Sequence, residues 1–176
     1  MAIAPGTYSL GPENGELLVH TRRQGAASMA GHDLEMIVTQ WAATLTLGEA
    51  SSLTLSVDSS SFRVREGRRG VRALEEDDKE NIRQTIDAEV RKRTSIEFRS
   101  SEVDATADGD HLRVYGELEL MGQTHPLEFD LEATDTSKLT GRATVKQTDF
   151  GMKPYTALFG ALRVADEVEV TVEARL

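Results

Sequence analysis

Residues 111–131, HLRVYGELELMGQTHPLEFDL, decide the fold because apolar or small side chains alternate with polar ones along two successive runs. The first run places them at every second position from Leu112 to Leu120, and the second resumes at Leu127. The residues around Gly122, between the runs, form a turn signal. An alternation of period two is typical of a strand with one buried face. We therefore predict an antiparallel hairpin with one face in the core and one in water.

The same alternation recurs on both sides of this hairpin and predicts a chain built mainly of antiparallel strands. The further candidates are residues 7–10, 16–23, 32–47, 52–58, 95–103, 140–148 and 167–176. The stretch 32–47 is so long that we expect a bend or a bulge in it. An apolar face of eight or nine strands must close on itself or pack against a second sheet. We favour a barrel of about eight strands over a sandwich.

Residues 75–93 interrupt this pattern and predict the one long helix. Acidic residues fill its first turn and basic residues its last, which suits the helix dipole. Asp77 and Glu80 have the spacing of a capping box. The apolar positions fall four residues apart, at Ile82, Ile86 and Val90. Because this stripe is too narrow for an all-α core, we predict a helix packed against the barrel.

Length and composition limit the function. We expect one domain over residues 1–176, with neither disulfides nor thiolate chemistry because the chain has no cysteine. The net charge of −10 disfavours nucleic acid and anionic membrane surfaces as general partners. The sequence has no apolar run near the ~18 residues of a membrane span, and the N-terminal MAIAPG lacks the features of a secretory signal. We therefore expect a cytoplasmic protein without a transmembrane segment.

Four short motifs occur in an order that resembles a known family. They are GTYSL at residues 6–10, IEFRSS at 96–101, the run 114–131 and QTDFGM at 147–152. Together they resemble the YceI-like family, described as lipocalin-like barrels that bind polyisoprenoids, over residues 6–176. Gln147 departs from the family pattern, which commonly has Arg there. Residues 31–34 and the loop 63–72 resemble an elaboration of actinobacterial relatives.

The resemblance implies a non-enzymatic protein that binds, sequesters or carries a long-chain amphiphile, such as a polyisoprenoid, a prenyl phosphate or an isoprenoid quinone. It also implies a lipocalin-like barrel whose interior holds the apolar tail. We expect the tail to contact Leu18, Leu34, Met36, Val38, Trp41, Phe98, Leu118, Leu120, Phe129, Phe150, Met152 and Phe159. From the residues alone, these side chains could instead simply fill the barrel. A filled barrel would act through its surface, as a protein interaction or stress-linked module.

The polar end of such a ligand has two groups of candidates. The predicted contacts are His20, His32, Arg63, Arg65 and Arg68. Arginine forks suit phosphate oxygens, and five arginines fall between residues 63 and 72. The alternative for this cluster is a solvated loop neutralised by the acidic turn 75–78. We predict no metal site, because the four histidines lack the spacing of a ligand pair.

No motif in the sequence predicts catalysis or a cofactor. The triplet at Asp149 matches the magnesium-binding DFG of kinases, but the glycine-rich and catalytic loops of that class are missing. We expect a structural role instead, with an unusual backbone conformation at Gly151. The loop 151–160 is unusually apolar for a surface connection. It could line the cavity entrance, form a homodimer contact or lie beneath the helix.

Overall fold

The computed structural model describes residues 3–68, 70, 73–90, 95–135 and 137–176, without the side chains of residues 87–90 and 135. Some sequence-based predictions lie outside this part of the chain. They concern Arg69 and Arg72 of the arginine cluster, the basic residues 91–93 that end the predicted helix, and the side chain of Val90.

Among the described residues the chain forms fourteen strands, one α-helix and three short 3₁₀ turns. The strands are β1 (Gly6–Leu10), β2 (Gly15–Thr21), β3 (Arg23–Gln24), β4 (Asp33–Val38), β5 (Trp41–Leu47), β6 (Ser52–Val57), β7 (Phe62–Arg68), β8 (Ile96–Ala105), β9 (His111–Leu120), β10 (Gln123–Asp135), β11 (Lys138–Lys146), β12 (Thr156–Ala157), β13 (Leu162–Val164) and β14 (Glu167–Arg175). The helix is α1 (Glu76–Val90), and the turns are Ser28–Ala30, Gln147–Phe150 and Leu158–Gly160.

Eleven strands form one antiparallel sheet in the order β1-β5-β6-β8-β9-β10-β11-β14-β2-β4-β7. β4 and β5 are two segments of the predicted long strand. β6 and β7 are likewise consecutive segments, separated by the short turn 58–61. At the bend, the Thr39 N–H donates to the Ser61 carbonyl at 2.9 Å, and the Asp58 N–H to the Gln40 carbonyl at 3.0 Å. The β5–β6 ladder therefore continues into the β4–β7 ladder, and the two ends of the sheet are joined along this bent hairpin.

The sheet is thus curled into a lipocalin-like wall, and the predicted fold class is confirmed. There are more strands than the eight expected because three long strands are interrupted. β1 pairs with β5 and β2 pairs with β4, so β1 and β2 both lie beside the bent strand that β4 and β5 form. When β1–β2, β4–β5 and β6–β7 are each counted as one strand, the eleven segments make eight wall strands.

The hairpin that decides the fold lies in the middle of this wall. β9 and β10 pair from Leu120 opposite Gln123 to His111 opposite Glu132. The connecting residues Met121 and Gly122 have φ of 56° and 73°, the combination that a two-residue hairpin turn requires. The predicted hairpin is therefore confirmed.

Helix α1 packs against β7, as predicted, but its cap differs from the prediction. The Glu75 N–H donates to Asp78 Oδ2 at 3.0 Å, so the capping pair lies two residues earlier than the predicted Asp77 and Glu80. Glu80 instead accepts hydrogen bonds from Arg83 and Gln84. These two bonds, the one from Arg83 foremost, lower the pKa of Glu80 to about 2.

The interior of the wall is packed unevenly along its length. Strands β10 and β14 run in the same direction, since each pairs antiparallel with β11. Along both strands the inward side chains become more buried, from the half-buried Leu127 to Leu131 on β10 and from the half-buried Val168 to Ala174 on β14. We call the closely packed part the filled end, defined by four side chains that are each at most 2% exposed. They are Leu45, Leu112, Val114 and Ala174.

Candidate functional site

The less buried half of the interior contains a cavity of about 910 Å³. Ligand sites in proteins usually measure about 300–1,000 Å³, so this volume is large enough for a long ligand. We call this half the cavity end, defined by the half-buried inward residues Val19, Leu127, Val168, Val170 and Val172. They come from three wall strands, and each is an apolar position of the alternation that predicted the sheet. The alternative that side chains simply fill the interior therefore does not hold for this half.

Nine of the twelve residues predicted for the apolar interior line this cavity. They are Leu34, Met36, Val38, Trp41, Phe98, Leu118, Leu120, Phe129 and Met152. The placement agrees with the prediction because all nine lie on the inward face of their strand or at the mouth. Their contact with a ligand remains a prediction.

An aromatic pair forms part of the cavity wall. The rings of Phe98 and Phe129 have centroids 5.2 Å apart and are tilted by 58°. A Cβ at Gly116 would lie 2.6 Å from Phe98 Cζ and 2.3 Å from the Arg99 carbonyl oxygen. Glycine at this position therefore makes room for the Phe98 ring between neighbouring strands.

The prediction that Leu18 faces the interior is wrong. Leu18 lies opposite Thr171 and Ile37 on the outer face of the wall. Its neighbours Leu17 and Val19 line the cavity instead. Both faces of β2 carry an apolar residue, so alternation alone cannot choose between them, and a shift by one residue exchanges the faces.

Two further interior predictions are also wrong. Phe150 is buried, but it packs in the core with its ring 5.1 Å from that of His125 and does not line the cavity. Gly151, with φ of 69°, ends the 3₁₀ turn that positions Phe150. Phe159 is 113% exposed, at the tip of the loop before β13.

The predicted polar contacts divide between the cavity and the outer face. His32 lines the cavity. His20 faces outward, where its Nε2 lies 3.0 Å from the Thr171 hydroxyl oxygen and its Nδ1 lies 3.9 Å from Glu35 Oε2. The prediction that His20 meets a ligand in the barrel is therefore wrong.

The predicted arginine site is wrong for the three arginines within the described residues. Arg63 and Arg65 lie on the outer face of β7, because the alternate residue Phe62 lines the cavity. Arg63 donates to the Phe62 carbonyl at 2.8 Å. The hydrogen bond to Glu16 raises the pKa of Arg65, and a hydrogen bond to Glu66 does the same for Arg68. Glutamates thus pair with Arg65 and Arg68, and backbone carbonyls with Arg63, where the sequence had offered the acidic turn 75–78.

The charged groups that do lie at the cavity mouth were not found from the sequence. Arg23, Lys153 and Arg163 line the cavity, and none of the lining residues in the described part of the chain is Asp or Glu. Arg142 is also in the lining, but its side chain is paired with Glu169, with 3.5 Å between Nε and Oε2. The three mouth cations lie far apart in the sequence, so no local cluster could reveal them. The mouth is therefore cationic in an acidic chain.

Two buried polar groups in the cavity wall have no hydrogen-bond partner among the described residues. They are the Thr21 hydroxyl and the Trp41 indole Nε1, and both residues line the cavity. Thr21 is 8% exposed and Trp41 is 6% exposed. Leaving a buried donor unpaired costs about 1–3 kcal/mol. A ligand oxygen that reached either group would recover this free energy.

Three segments surround the mouth. Asn81, Ile82, Thr85 and Ile86 of α1 line one side of the cavity. The turn at Gly31 and His32 and the loop from Met152 to Thr156 line the rest. The sequence left three alternatives for the loop 151–160. The first half of this loop lines the cavity entrance, which was one of them.

The described residues form neither a metal site nor a membrane-spanning helix. No three His, Cys, Asp or Glu side chains of the described part lie close enough together to hold a metal ion. None of the described helical segments has the length and apolar character needed to cross a bilayer.

Comparisons with known proteins agree with this architecture. The sequence matches the family model of the YceI-like domain over residues 8–176. No curated protein sequence matches the chain. Three solved structures share the fold at low identity, and each is similar over most of the chain.

BcnA of Burkholderia cenocepacia has a TM-score of 0.64 at 17% identity, over 92% of this chain and 96% of that one. A polyisoprenoid binding domain of Saccharophagus degradans, implicated in plant cell wall breakdown, has a TM-score of 0.59 at 8% identity, over 98% and 100% of the two chains. The YceI protein of Campylobacter jejuni has a TM-score of 0.54 at 13% identity, over 80% and 82%.

Proposed function

This chain belongs to the YceI-like family, and from that premise we propose that it binds one long-chain amphiphile and carries or sequesters it without chemical change. The observation that carries the proposal is the cavity of about 910 Å³ with an apolar wall and a cationic mouth. The polyisoprenoid binding named for the Saccharophagus domain supports an isoprenoid chain as the apolar part.

The cavity wall suits an apolar chain because aliphatic residues dominate it. Val19, Leu127 and Val170 are only half-buried in the empty protein, so a tail would remove their remaining surface from water. Each buried methylene contributes about 0.8 kcal/mol, and a dozen tail carbons would give roughly 9–10 kcal/mol before the cost of association. The tail can therefore supply most of the affinity.

The polar end of the ligand would lie at the mouth, among Thr21, Arg23 and Lys153. A prenyl phosphate would place its oxygens near these cations, since guanidinium and ammonium groups both bind phosphate. An isoprenoid quinone would present carbonyl oxygens that accept from Thr21. Either ligand fits the lining that the described residues form, because none of these residues has a carboxylate that would repel the ligand oxygens.

The same lining supports a binding role rather than an enzymatic one. General acid–base catalysis needs a pair of titratable groups that converge on the substrate. Among the described residues, the cavity lining contains no carboxylate and a single histidine, His32. We propose on this basis that the ligand leaves as it entered.

Organic extraction and mass spectrometry of protein purified without detergent test the proposal. We expect close to one isoprenoid lipid per chain. Val170→Phe should lower the recovery at least tenfold, because the new ring occupies the cavity from β14. Thr144→Phe is the matched control, since Thr144 is exposed on the outer face of the neighbouring strand β11.

Two results would contradict the proposal. One is the absence of lipid in the extract together with no uptake of added isoprenoid alcohol or prenyl phosphate. The other is equal recovery from Val170→Phe and the wild type while both remain folded, which would place the lipid outside the cavity.

A further inference from the structure

The large apolar side chains that the described part of the protein leaves exposed are concentrated in one place. Among the described residues, the large apolar side chains left exposed are Met29, Tyr155, Leu158 and Phe159, with exposures of 73%, 56%, 56% and 113%. Leu158 and Phe159 have φ of 51° and 55°, a left-handed conformation that residues other than glycine rarely adopt. The loop therefore keeps a disfavoured backbone and presents Phe159 to solvent.

Two segments carry these side chains, residues 22–32 and residues 151–165, and we call them together the mouth surface. The Ala27 N–H donates to the Ala161 carbonyl at 2.8 Å, and β3 pairs with β13, so the segments form one unit. Both segments also line the cavity, and Tyr155 is both exposed and part of the lining. The apolar patch is thus continuous with the interior of the cavity.

The charge of the mouth surface is opposite to that of the whole protein. Its two segments hold Arg22, Arg23, Lys153 and Arg163 and no Asp or Glu, although the chain has 30 acidic and 20 basic residues and Asp33 and Asp166 directly follow the segments. Helix α1, whose first turn is acidic, lines another side of the cavity and is not part of this surface. Exposed apolar groups and basic residues therefore coincide at the mouth.

We propose that the mouth surface docks onto a lipid bilayer that contains anionic lipids, so that the amphiphile passes between bilayer and cavity without crossing water. This inference rests on the proposed function, because a docked mouth matters only if a lipid moves through it. Aromatic and aliphatic side chains enter the headgroup region, and nearby basic residues attract anionic headgroups. A large exposed apolar patch beside a ligand cavity marks such a site of interaction.

Docking protects the amphiphile during transfer. Each methylene that leaves the bilayer for water raises the free energy of the transferring chain. A mouth held against the bilayer avoids that exposure, because the tail moves directly from the apolar interior of the bilayer into the apolar cavity. The overall charge of −10 also orients the protein, since an anionic membrane attracts the basic mouth surface and repels the acidic chain as a whole.

Sedimentation with vesicles tests the docking. The vesicles are phosphatidylcholine mixed with phosphatidylglycerol, compared with phosphatidylcholine alone. We expect Phe159→Asn to weaken sedimentation with the mixed vesicles by at least about tenfold, because the variant loses the burial of a phenylalanine ring. Asparagine tolerates the left-handed backbone at this position. Thr44→Asn, on the exposed face of β5, is the control and should behave as the wild type.

A second variant tests the electrostatic part. Arg22 is exposed and does not line the cavity. Arg22→Gln should lower binding to the mixed vesicles about fivefold, the effect of one basic residue near an anionic surface, and leave binding to phosphatidylcholine unchanged. Added salt should reduce the difference between the two kinds of vesicle.

The outcomes separate this inference from the proposed function. With a fluorescent isoprenoid alcohol added from ethanol, Phe159→Asn should bind as much as the wild type, whereas its uptake from mixed vesicles should be slower. Equal sedimentation of Phe159→Asn and the wild type would overturn the docking. A concentration-dependent dimer that this variant abolishes without vesicles would also overturn it and assign the surface to a second copy. Vesicle binding that depends on Phe159 without any uptake of the alcohol would overturn the proposed function alone.

Discussion

Leu112 and Leu127 lie on neighbouring strands and both point into the same interior, but their surroundings differ. Leu112 is 1% exposed at the filled end, in one cluster with Leu45 and Val114. Leu127 is half-buried and faces the cavity. The residue type and the strand pattern are the same at both positions. What differs is whether the opposite wall fills the space in front of the side chain.

From this difference we expect the filled end to contribute most of the stability and the cavity end to bind the ligand. Close packing at the filled end supplies dispersion contacts that an open cavity cannot. The cavity end gives up those contacts and gains room for a ligand. Sites of low local stability are often the ones that bind ligands, and the predictions below measure that division.

The largest expected effect separates Leu112→Ala from Leu127→Ala. Leu112→Ala should lower the free energy of unfolding by about 2–5 kcal/mol, because it leaves a void in close packing. Leu127→Ala should cost clearly less, about 1–1.5 kcal/mol, since its side chain already borders empty space. Urea denaturation of the empty protein measures both values. Equal losses would show that the two ends are packed alike.

An effect of intermediate size comes from filling the cavity with lipid. An isoprenoid ligand at about a hundred times its dissociation constant should raise the free energy of unfolding by about 2.7 kcal/mol. Hydrogen exchange should slow most at Val168 and Val170, whose side chains face the cavity. Val170→Phe should show neither response. Unchanged exchange at Val168 and Val170 at saturating ligand would contradict binding in the cavity, whereas core amides such as that of Leu112 should slow with the rise in global stability.

The smallest effect concerns two carboxylates, one in a turn at each end. The Thr148 hydroxyl donates to Asp166 near the mouth and lowers the pKa of that carboxyl. The Thr106 hydroxyl does the same for Asp108. Because both pKa values are lower in the folded protein, the stabilisation is complete above the usual pKa and is lost as the pH falls through the folded value.

Asp166→Asn and Asp108→Asn should therefore each lower stability slightly at neutral pH and converge with the wild type in strong acid. Denaturation across the acidic range measures the convergence. If stability depends on pH in the same way in both variants, these surface hydrogen bonds do not distinguish the two ends. The difference between the ends then lies in their packing. A variant whose deficit grew as the pH fell would contradict the direction of the pKa shift.

The alternation of the sequence predicted the wall well but its faces less well. Residues 111–131 gave the hairpin with its turn, because one face is consistently apolar. On β2 both faces carry apolar residues, so Leu18 was assigned to the wrong one. The arginines at 63 and 65 were interpreted as a loop, although Phe62 and Val64 between them already show the alternation of a strand.

The mouth could not be predicted because its parts meet only in three dimensions. Arg23 lies on β3, Lys153 on the loop after the 3₁₀ turn, and Arg163 on β13. The pairing of β3 with β13 depends on the curl of the whole sheet, which no local pattern encodes. The cavity has the same origin, since the same alternation would describe a filled barrel.

The arginines of β7 have a consequence that concerns solubility. Among the described residues β7 pairs with β4 alone, so its other edge offers backbone groups to which a strand of another chain could add. Charged side chains along such an edge oppose that addition, because a second strand would have to bury them. Arg63, Arg65 and Arg68 stand along this strand, each held by a carbonyl or a glutamate. We therefore expect them to oppose edge-to-edge association of the barrel at β7.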